Sequence, residues 1–469
     1  MNGSAIKSNL KAAFLSQGIS MLLSVITALV VPKVLGVEEF GYWQLFIFYM
    51  SYTPYALLGI ADGVYLINGG KSRNELDKRS TSSQFLCDLI VQLIAFAAIL
   101  YYAFTLGPLD SRFFVFVGVA LMLILQCSVN YLCWIFQAIN ETKRYSYALI
   151  VNRLSFLAML IPLLLFQVRD FRYYLLAFTA AQVIMLGYCL SFGKDFIFQR
   201  PYSPCVSIRY SIRSVKVGLV LSIAMGASTL SLGVVRFFVD CTQSIEVFSL
   251  VSLAISLTTF VLSFIGQVGM VLFPALRQAD GNERVLFYEA SKAALELFLP
   301  VVLLLYYPAA LLVSLWLPDY SASVQLFAYL IPICIFEGKM QIVYATFFKV
   351  FRKEKILLYV NCLGIAISAV GAFFSLYILS SVSLSLLFLT IAYVVRSLFA
   401  EIYLNMQFEL KMSGRAMGEI ALTAFFLVCV SLLSSGLSFA VTLLSYIAFL
   451  AFNRKAIRKL FLISKSTGT

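Results

Sequence analysis

Apolar runs of roughly 20 residues recur along the whole chain and limit what it can fold into. One of them, GLVLSIAMGASTLSLGVV at residues 218–235, carries no charge before Arg236. Of the 469 residues, 61% are hydrophobic and 12% are charged, whereas soluble domains have about 25% charged residues. Such a chain has more apolar surface than its own core can bury, so we expect lipid to cover the remainder.

Only α-helices and closed β-barrels satisfy their backbone hydrogen bonds inside a bilayer. The apolar runs do not alternate with polar residues as barrel strands do, and each is long enough for a helical span. The sequence therefore predicts an all-α polytopic membrane protein. Its first span begins near Leu10, and about fourteen spans are expected. About twelve is the alternative count, because the last two runs, near Gly418 and Leu437, are short.

Most of the 35 lysines and arginines lie in connections that would face the same side of the membrane. Basic connections face the cytoplasm, so both termini are expected there. The net charge of +13 is then a signal of topology. A nucleic-acid partner is not expected, since no soluble domain is available to carry a basic face.

The first six spans and the next six start at positions offset by about 205 to 211 residues, which indicates an internal repeat. Six spans in each half give both halves the same orientation. We therefore predict two parallel six-helix bundles, residues 1–215 and 216–410, then a helical hairpin with a basic tail at 411–469. Repeats of this kind carry substrate between them near the midplane.

A transporter is the expected class, and an enzyme is not. The connections are too short for a catalytic domain. The chain has no histidine, and its nine cysteines lack metal-ligand spacing, so no metal or cofactor is expected.

Charged residues inside spans are costly and are candidates for function. The candidate cations are Arg236, Arg396, Lys339 and, at the outer end of the first span, Lys33. Arg236 has an alternative interpretation as a snorkelling side chain paired with Asp240, four residues further along the helix.

The acids suggest ion coupling. With no histidine present, proton coupling would use carboxylates, and the candidates for coupling to H⁺ or Na⁺ are Glu337 and Asp62. Glu337 is the one deep carboxylate, whereas Asp62, Asp88, Glu296 and Glu401 are expected near cytoplasmic ends, with easy access to water.

Aromatic residues offer a further interaction. A few of them are candidates for stacking on sugar rings, namely Trp43, Tyr49, Tyr52 and Trp134.

Several segments resemble polysaccharide flippases of the Wzx (O-antigen) type, within the multidrug/oligosaccharidyl-lipid/polysaccharide exporter superfamily. They are KVLGVEEFGYWQLFIFY at 33–49, GIADGVYL at 59–66, VVRFFVDCTQSIEVFSLVSLAIS at 234–256 and VLFPALRQ at 271–278. The chain departs from the family pattern at Val235, where an aspartate usually precedes the arginine.

The resemblance implies that the protein moves an undecaprenyl-pyrophosphate-linked oligosaccharide, one O-antigen repeat unit of lipopolysaccharide, from the cytoplasmic to the periplasmic leaflet of a bacterial inner membrane. The four cations would then receive the pyrophosphate. The glycan polymerase and the chain-length regulator are candidate partners beside the lipid-linked substrate and the bilayer.

Two alternatives are open at this point. One is a cation-coupled multidrug antiporter of the same superfamily, whose cavity should hold more acids than bases. The other is a membrane-bound glycan polymerase or ligase, which should carry a large periplasmic loop that the sequence lacks.

Overall fold

The computed structural model describes residues 17–57, 59–278, 281–351, 353–411, 413–458 and 460. Helices account for 88% of the residues, and no strand occurs within these ranges, which confirms the all-α class. The predicted start of the first span, Leu10, lies outside the described residues.

The chain divides into two compact units, Met1–Gly226 (unit 1) and Ala227–Thr469 (unit 2). The helices of unit 1 are α1 (Gln17–Leu29), α2 (Val31–Met50), α3 (Ile60–Asn68), α4 (Lys78–Leu106), α5 (Ser111–Ala138), α6 (Thr142–Leu165), α7 (Phe171–Ile197) and the first part of α8 (Pro204–Thr242). Those of unit 2 are the end of α8, α9 (Ile245–Gln278), α10 (Gly281–Phe298), α11 (Tyr306–Trp316), α12 (Ser321–Leu330), α13 (Ile333–Lys339), α14 (Ala345–Val350), α15 (Glu354–Phe373), α16 (Val382–Gln407), α17 (Gly414–Leu432) and α18 (Ser435–Phe452).

This division differs from the predicted domains. The predicted boundary after residue 215 falls earlier in α8 than the observed one, because α8 is a single helix of 39 residues whose first part packs within unit 1. The predicted separate region at 411–469 is grouped with unit 2. The reason is that α17 contacts α10, α12 and the 3₁₀ turn Leu299–Leu305, and α18 contacts the same turn.

The protein is a multi-pass membrane protein. Within the described ranges, ten helices are long and apolar enough to cross a membrane, and two bent helix pairs raise the number to as many as twelve. The pairs bend by 67° between α1 and α2, and by 43° between α12 and α13. Both α17 and α18 are among the ten, so the final hairpin is long enough to span.

The two units repeat the same internal packing scheme. In unit 1, α5 packs against α2, α3 and α7, and α6 packs against α7. In unit 2, α12 and α13 take the place of α5 by packing against α9 and α16, and α15 packs against α16. This correspondence supports the repeat that the spacing of the spans indicates.

Glycines allow α3 and α8 to approach each other closely within unit 1. A Cβ atom on Gly63 would lie 2.0 Å from the carbonyl oxygen of Ser214, and one on Gly218 would lie 2.1 Å from the carbonyl oxygen of Gly59. Gly59 has φ 75°, in the left-handed region that favours glycine. This contact fixes α3, and therefore Asp62 in its first turn, against α8.

We predict that Gly63→Ala and Gly218→Ala each lower the free energy of unfolding by about 1–3 kcal/mol, because backbone must move to admit the methyl group. Thermal unfolding of the purified protein in detergent would measure the loss. Gly187→Ala is the matched control, since a Cβ there would have no atom within 4 Å. Equal melting temperatures for all three variants would show that the close approach is unimportant.

Candidate functional site

Unit 1 contains a cavity of about 310 Å³ beside the start of α3. One wall is a stripe along α5 formed by Cys127, Asn130, Trp134 and Gln137, whose spacing places them on one helical face. The remaining lining residues are Pro54, Tyr55, Gly59, Ile60, Ala61, Asp62, Cys133, Tyr145 and Ser222. No lysine or arginine lines this cavity among the described residues.

Asp62, a predicted ion-coupling residue, lies on the wall of this cavity. Its side chain is half-buried, and Ser222 lies on the wall of the same cavity. Asp62 occupies the first turn of α3, where the helix dipole favours a negative charge. The position is therefore suited to a carboxylate that exchanges a small cation or a proton with the cavity.

In unit 2, the predicted residues Arg396 and Glu337 form a buried ion pair. Nη1 of Arg396 on α16 lies 2.9 Å from Oε2 of Glu337 on α13, and both side chains are less than 10% exposed. The amide of Gln341 donates to the other carboxylate oxygen at 3.0 Å. Arg396 is thus held by an acid rather than exposed to an open passage.

Lys339 is paired as well, but with a different acid. Its ammonium group donates to Glu419 on α17, and both side chains are buried. Glu337 and Lys339 are two residues apart on α13, so they point to different neighbours, as the sequence predicts. Glu419 was not among the predicted site residues. It lies in the second turn of α17.

Two further ion pairs of unit 2 hold the buried acids Glu401 and Glu296. Lys292 Nζ lies 3.2 Å from Glu401 Oε1, and the hydroxyl of Tyr344 donates to Glu401 Oε2 at 3.2 Å. Nε of Arg415 donates to Glu296 Oε2 at 2.8 Å. Neither Lys292 nor Arg415 was a candidate, because both were assigned to basic connections.

The expectation that Asp88, Glu296 and Glu401 have easy access to water is wrong. All three are 0% exposed, because their side chains face neighbouring helices. Asp88 accepts a hydrogen bond from the amide of Gln92 at 2.9 Å. Glu337 is therefore one of several deep carboxylates, and its depth alone does not distinguish it.

The remaining predicted cations are more accessible. Lys33 on α2 is exposed and belongs to unit 1. Arg236 near the end of α8 is half-buried; its Nη2 donates to the Ser252 hydroxyl at 3.0 Å, and its guanidinium lies over the ring of Phe248 at 5.2 Å.

The aromatic candidates also separate by environment. Trp43 is 2% exposed and packs against Phe156, so it belongs to the core. Tyr49 and Tyr52 pack against Phe48. Trp134 lines the cavity of unit 1, which makes it the candidate best placed to meet a ligand.

No protein-family model and no curated protein sequence matches the chain. Among solved structures, the lipid II flippase MurJ in an inward closed conformation has a TM-score of 0.69 at 13% identity, over 96% of this chain and 99% of the flippase.

An inward-facing multidrug resistance MATE family transporter of the MOP superfamily has a TM-score of 0.60 at 12% identity, over 82% of this chain and 94% of that transporter. An outward-facing MATE structure has a TM-score of 0.52 at 14% identity, over 86% of this chain and 96% of that one. The chain has the fold of these transporters. At such identities the likeness establishes the fold.

We predict that Glu419→Gln or Lys339→Met alone destabilises the protein by roughly 3–5 kcal/mol, because each leaves a buried charge without its partner. The double variant should recover most of that loss, as measured by thermal unfolding in detergent. Arg172→Ala is the control; it removes a weak, half-exposed pair with Asp170 together with stacking on Phe114, and should cost about 1–2 kcal/mol. Additive losses in the double variant would contradict the pairing.

Proposed function

We propose that this protein is a flippase for a lipid-linked oligosaccharide, an undecaprenyl-pyrophosphate-linked O-antigen repeat unit. It would carry this lipid from the cytoplasmic to the periplasmic leaflet of a bacterial inner membrane by alternating access. The supporting observation is the extent of the structural likeness to a lipid flippase, which covers 96% of this chain. The likeness to the inward-facing MATE transporter covers 82%.

The physical requirement of such a substrate supports the proposal. Diphosphate and sugar groups lose their hydrogen bonds to water in hydrocarbon, so they need a polar route through the protein. Cations would stabilise the diphosphate through charge-assisted hydrogen bonds. Arg236 and Lys33 are only partly buried or exposed in this conformation, so we propose that they meet the diphosphate first.

Arg396 and Lys339 would participate by exchange of partners. In this conformation each is held by an acid, Glu337 or Glu419. A phosphate oxygen that took the place of Glu337 beside Arg396 would leave a buried carboxylate without a cation, and uptake of a proton would remove that cost. Substrate binding and proton uptake would then be coupled at Glu337, while Asp62 remains a second candidate, for H⁺ or Na⁺.

A cation-coupled multidrug antiporter is the second candidate function. The cavity of unit 1 favours it in one respect, since aromatic rings and the carboxylate of Asp62 line it without any lysine or arginine among the described residues. Against it, four buried acids of unit 2, Glu296, Glu337, Glu401 and Glu419, are each matched by a base. Drug resistance conferred by expression in a sensitive strain, with normal surface glycan in the knockout, would favour the antiporter.

We predict that Arg236→Ala strongly reduces O-antigen at the cell surface without changing the amount of protein, and that lipid-linked repeat units accumulate in the cytoplasmic leaflet. Arg236→Lys should retain part of the activity because it keeps the positive charge. Immunoblotting of surface glycan beside quantification of the membrane protein would measure both effects. Normal O-antigen in the alanine variant would remove Arg236 from the proposed site.

We predict that Asp62→Asn or Glu337→Gln makes transport insensitive to the coupling gradient, because each amide keeps the shape of the acid and lacks its charge. Flipping of labelled lipid in proteoliposomes, with and without a pH or sodium gradient, would measure the effect. Asp319→Asn is the control at an exposed carboxylate. Unchanged gradient dependence in both variants would exclude these two acids as coupling residues.

A further inference from the structure

The cavity of unit 1 contains polar groups that the protein itself leaves unsatisfied. The amides of Asn130 and Gln137 and the hydroxyl of Tyr145 line it, and none of them has a hydrogen-bond partner among the described residues. All three side chains are partly exposed. Amides and a hydroxyl that face an open cavity both donate and accept hydrogen bonds, so the cavity is suited to a ligand that does the same.

An aromatic surface lies beside these groups. Trp134 is partly exposed at the cavity, and its ring centroid lies 4.7 Å from that of Tyr65. Because Asn130, Trp134 and Gln137 share one face of α5, a ligand that lies on the indole ring reaches both amides. An apolar face bordered by hydroxyl groups, which is the form of a pyranose ring, matches this arrangement.

The charge of the cavity wall makes it unsuited to the diphosphate group of the proposed substrate. With no lysine or arginine on its described wall and a carboxylate at Asp62, the cavity would repel a diphosphate. A cationic drug would use the aromatic rings and Asp62, but it would leave the amides of Asn130 and Gln137 without partners. A volume of about 310 Å³ has room for about one or two sugar rings.

We propose that this cavity binds a sugar of the lipid-linked glycan, stacked on Trp134 and hydrogen-bonded to Asn130, Gln137 and Tyr145. The proposal rests on the flippase function and assigns the two parts of the substrate to different residues. Unit 1 would recognise the glycan by uncharged contacts, and the cations named above would bind the diphosphate. Selectivity among glycans would then be set by the α5 stripe.

Binding to the full-length protein in lipid nanodiscs tests this. The probes are undecaprenyl pyrophosphate carrying one N-acetylglucosamine, undecaprenyl pyrophosphate without sugar, and the organic cation tetraphenylphosphonium. Trp134→Ala and the double variant Asn130→Ala/Gln137→Ala should weaken binding of the glycosylated lipid about tenfold or more, and leave that of the sugar-free lipid unchanged. Trp134→Phe should retain most of the affinity because it keeps an aromatic face.

Two control variants separate binding from folding. Leu121→Ala changes an exposed position of the same helix, and Trp316→Ala changes an exposed tryptophan of unit 2. Both should bind the glycosylated lipid as the wild type does, and thermal unfolding should show that every variant is folded at the temperature of the binding measurement.

Three results would overturn the proposal. Equal weakening of both lipids, or of neither, in the cavity variants would end the sugar site while leaving the flippase function in place. Loss of tetraphenylphosphonium binding in the cavity variants, with glycolipid binding intact, would assign the cavity to cations. Failure of the wild type to bind either lipid would count against the flippase function as well.

Discussion

Hydrocarbon offers no hydrogen bonds, and this constraint governs every polar group of a chain that crosses the membrane many times. Each polar side chain must find its partner inside the protein, in a ligand, or in water held in a cavity. Unit 2 meets the requirement with ion pairs, in which four buried acids each contact a base: Glu296 with Arg415, Glu337 with Arg396, Glu401 with Lys292, and Glu419 with Lys339. Such pairs add little net stability, but a single unmatched member is costly, so they determine which helices can pack together.

Unit 1 meets the same requirement differently. Its main ion pairs lie at the helix ends, where Arg73 contacts Glu141 at 3.0 Å and Asp195 at 2.7 Å. In its interior the fully buried carboxylate of Asp88 accepts its hydrogen bond from the amide of Gln92 and not from a base. Two bundles with the same packing scheme have therefore acquired different chemistry, one based on matched charges and the other on amides and aromatic rings.

The architecture was largely predictable, because apolar length and the spacing of spans are local properties of the sequence. Glu337, Lys339 and Arg396 were also found as charges within apolar runs. The ion-pair partners were harder to predict, because Lys292 and Glu401 are 109 residues apart in the chain and meet only in the folded bundle. Glu39, in the segment at residues 33–49, shows why such contacts could not be predicted. It accepts a hydrogen bond at 2.9 Å from the backbone N–H of Phe171, at the start of α7. No local pattern connects these two residues.

Helix α13 connects several of the buried ion pairs of unit 2. Glu337 reaches α16 and Lys339 reaches α17, so one short helix links both neighbours through charge. The chain then continues as a π-helical turn, Met340–Tyr344, whose wider hydrogen bonding often accompanies functional adjustment of a helix. Tyr344 at the end of that turn contacts Glu401, which also pairs with Lys292. Because each of the ion pairs neutralises a buried charge, a change of partner at Glu337 would leave Arg396 without its acid. The α17–α18 hairpin is joined to the bundle by charge as well, since Glu419 pairs with Lys339 of α13 and Arg415 pairs with Glu296 of α10.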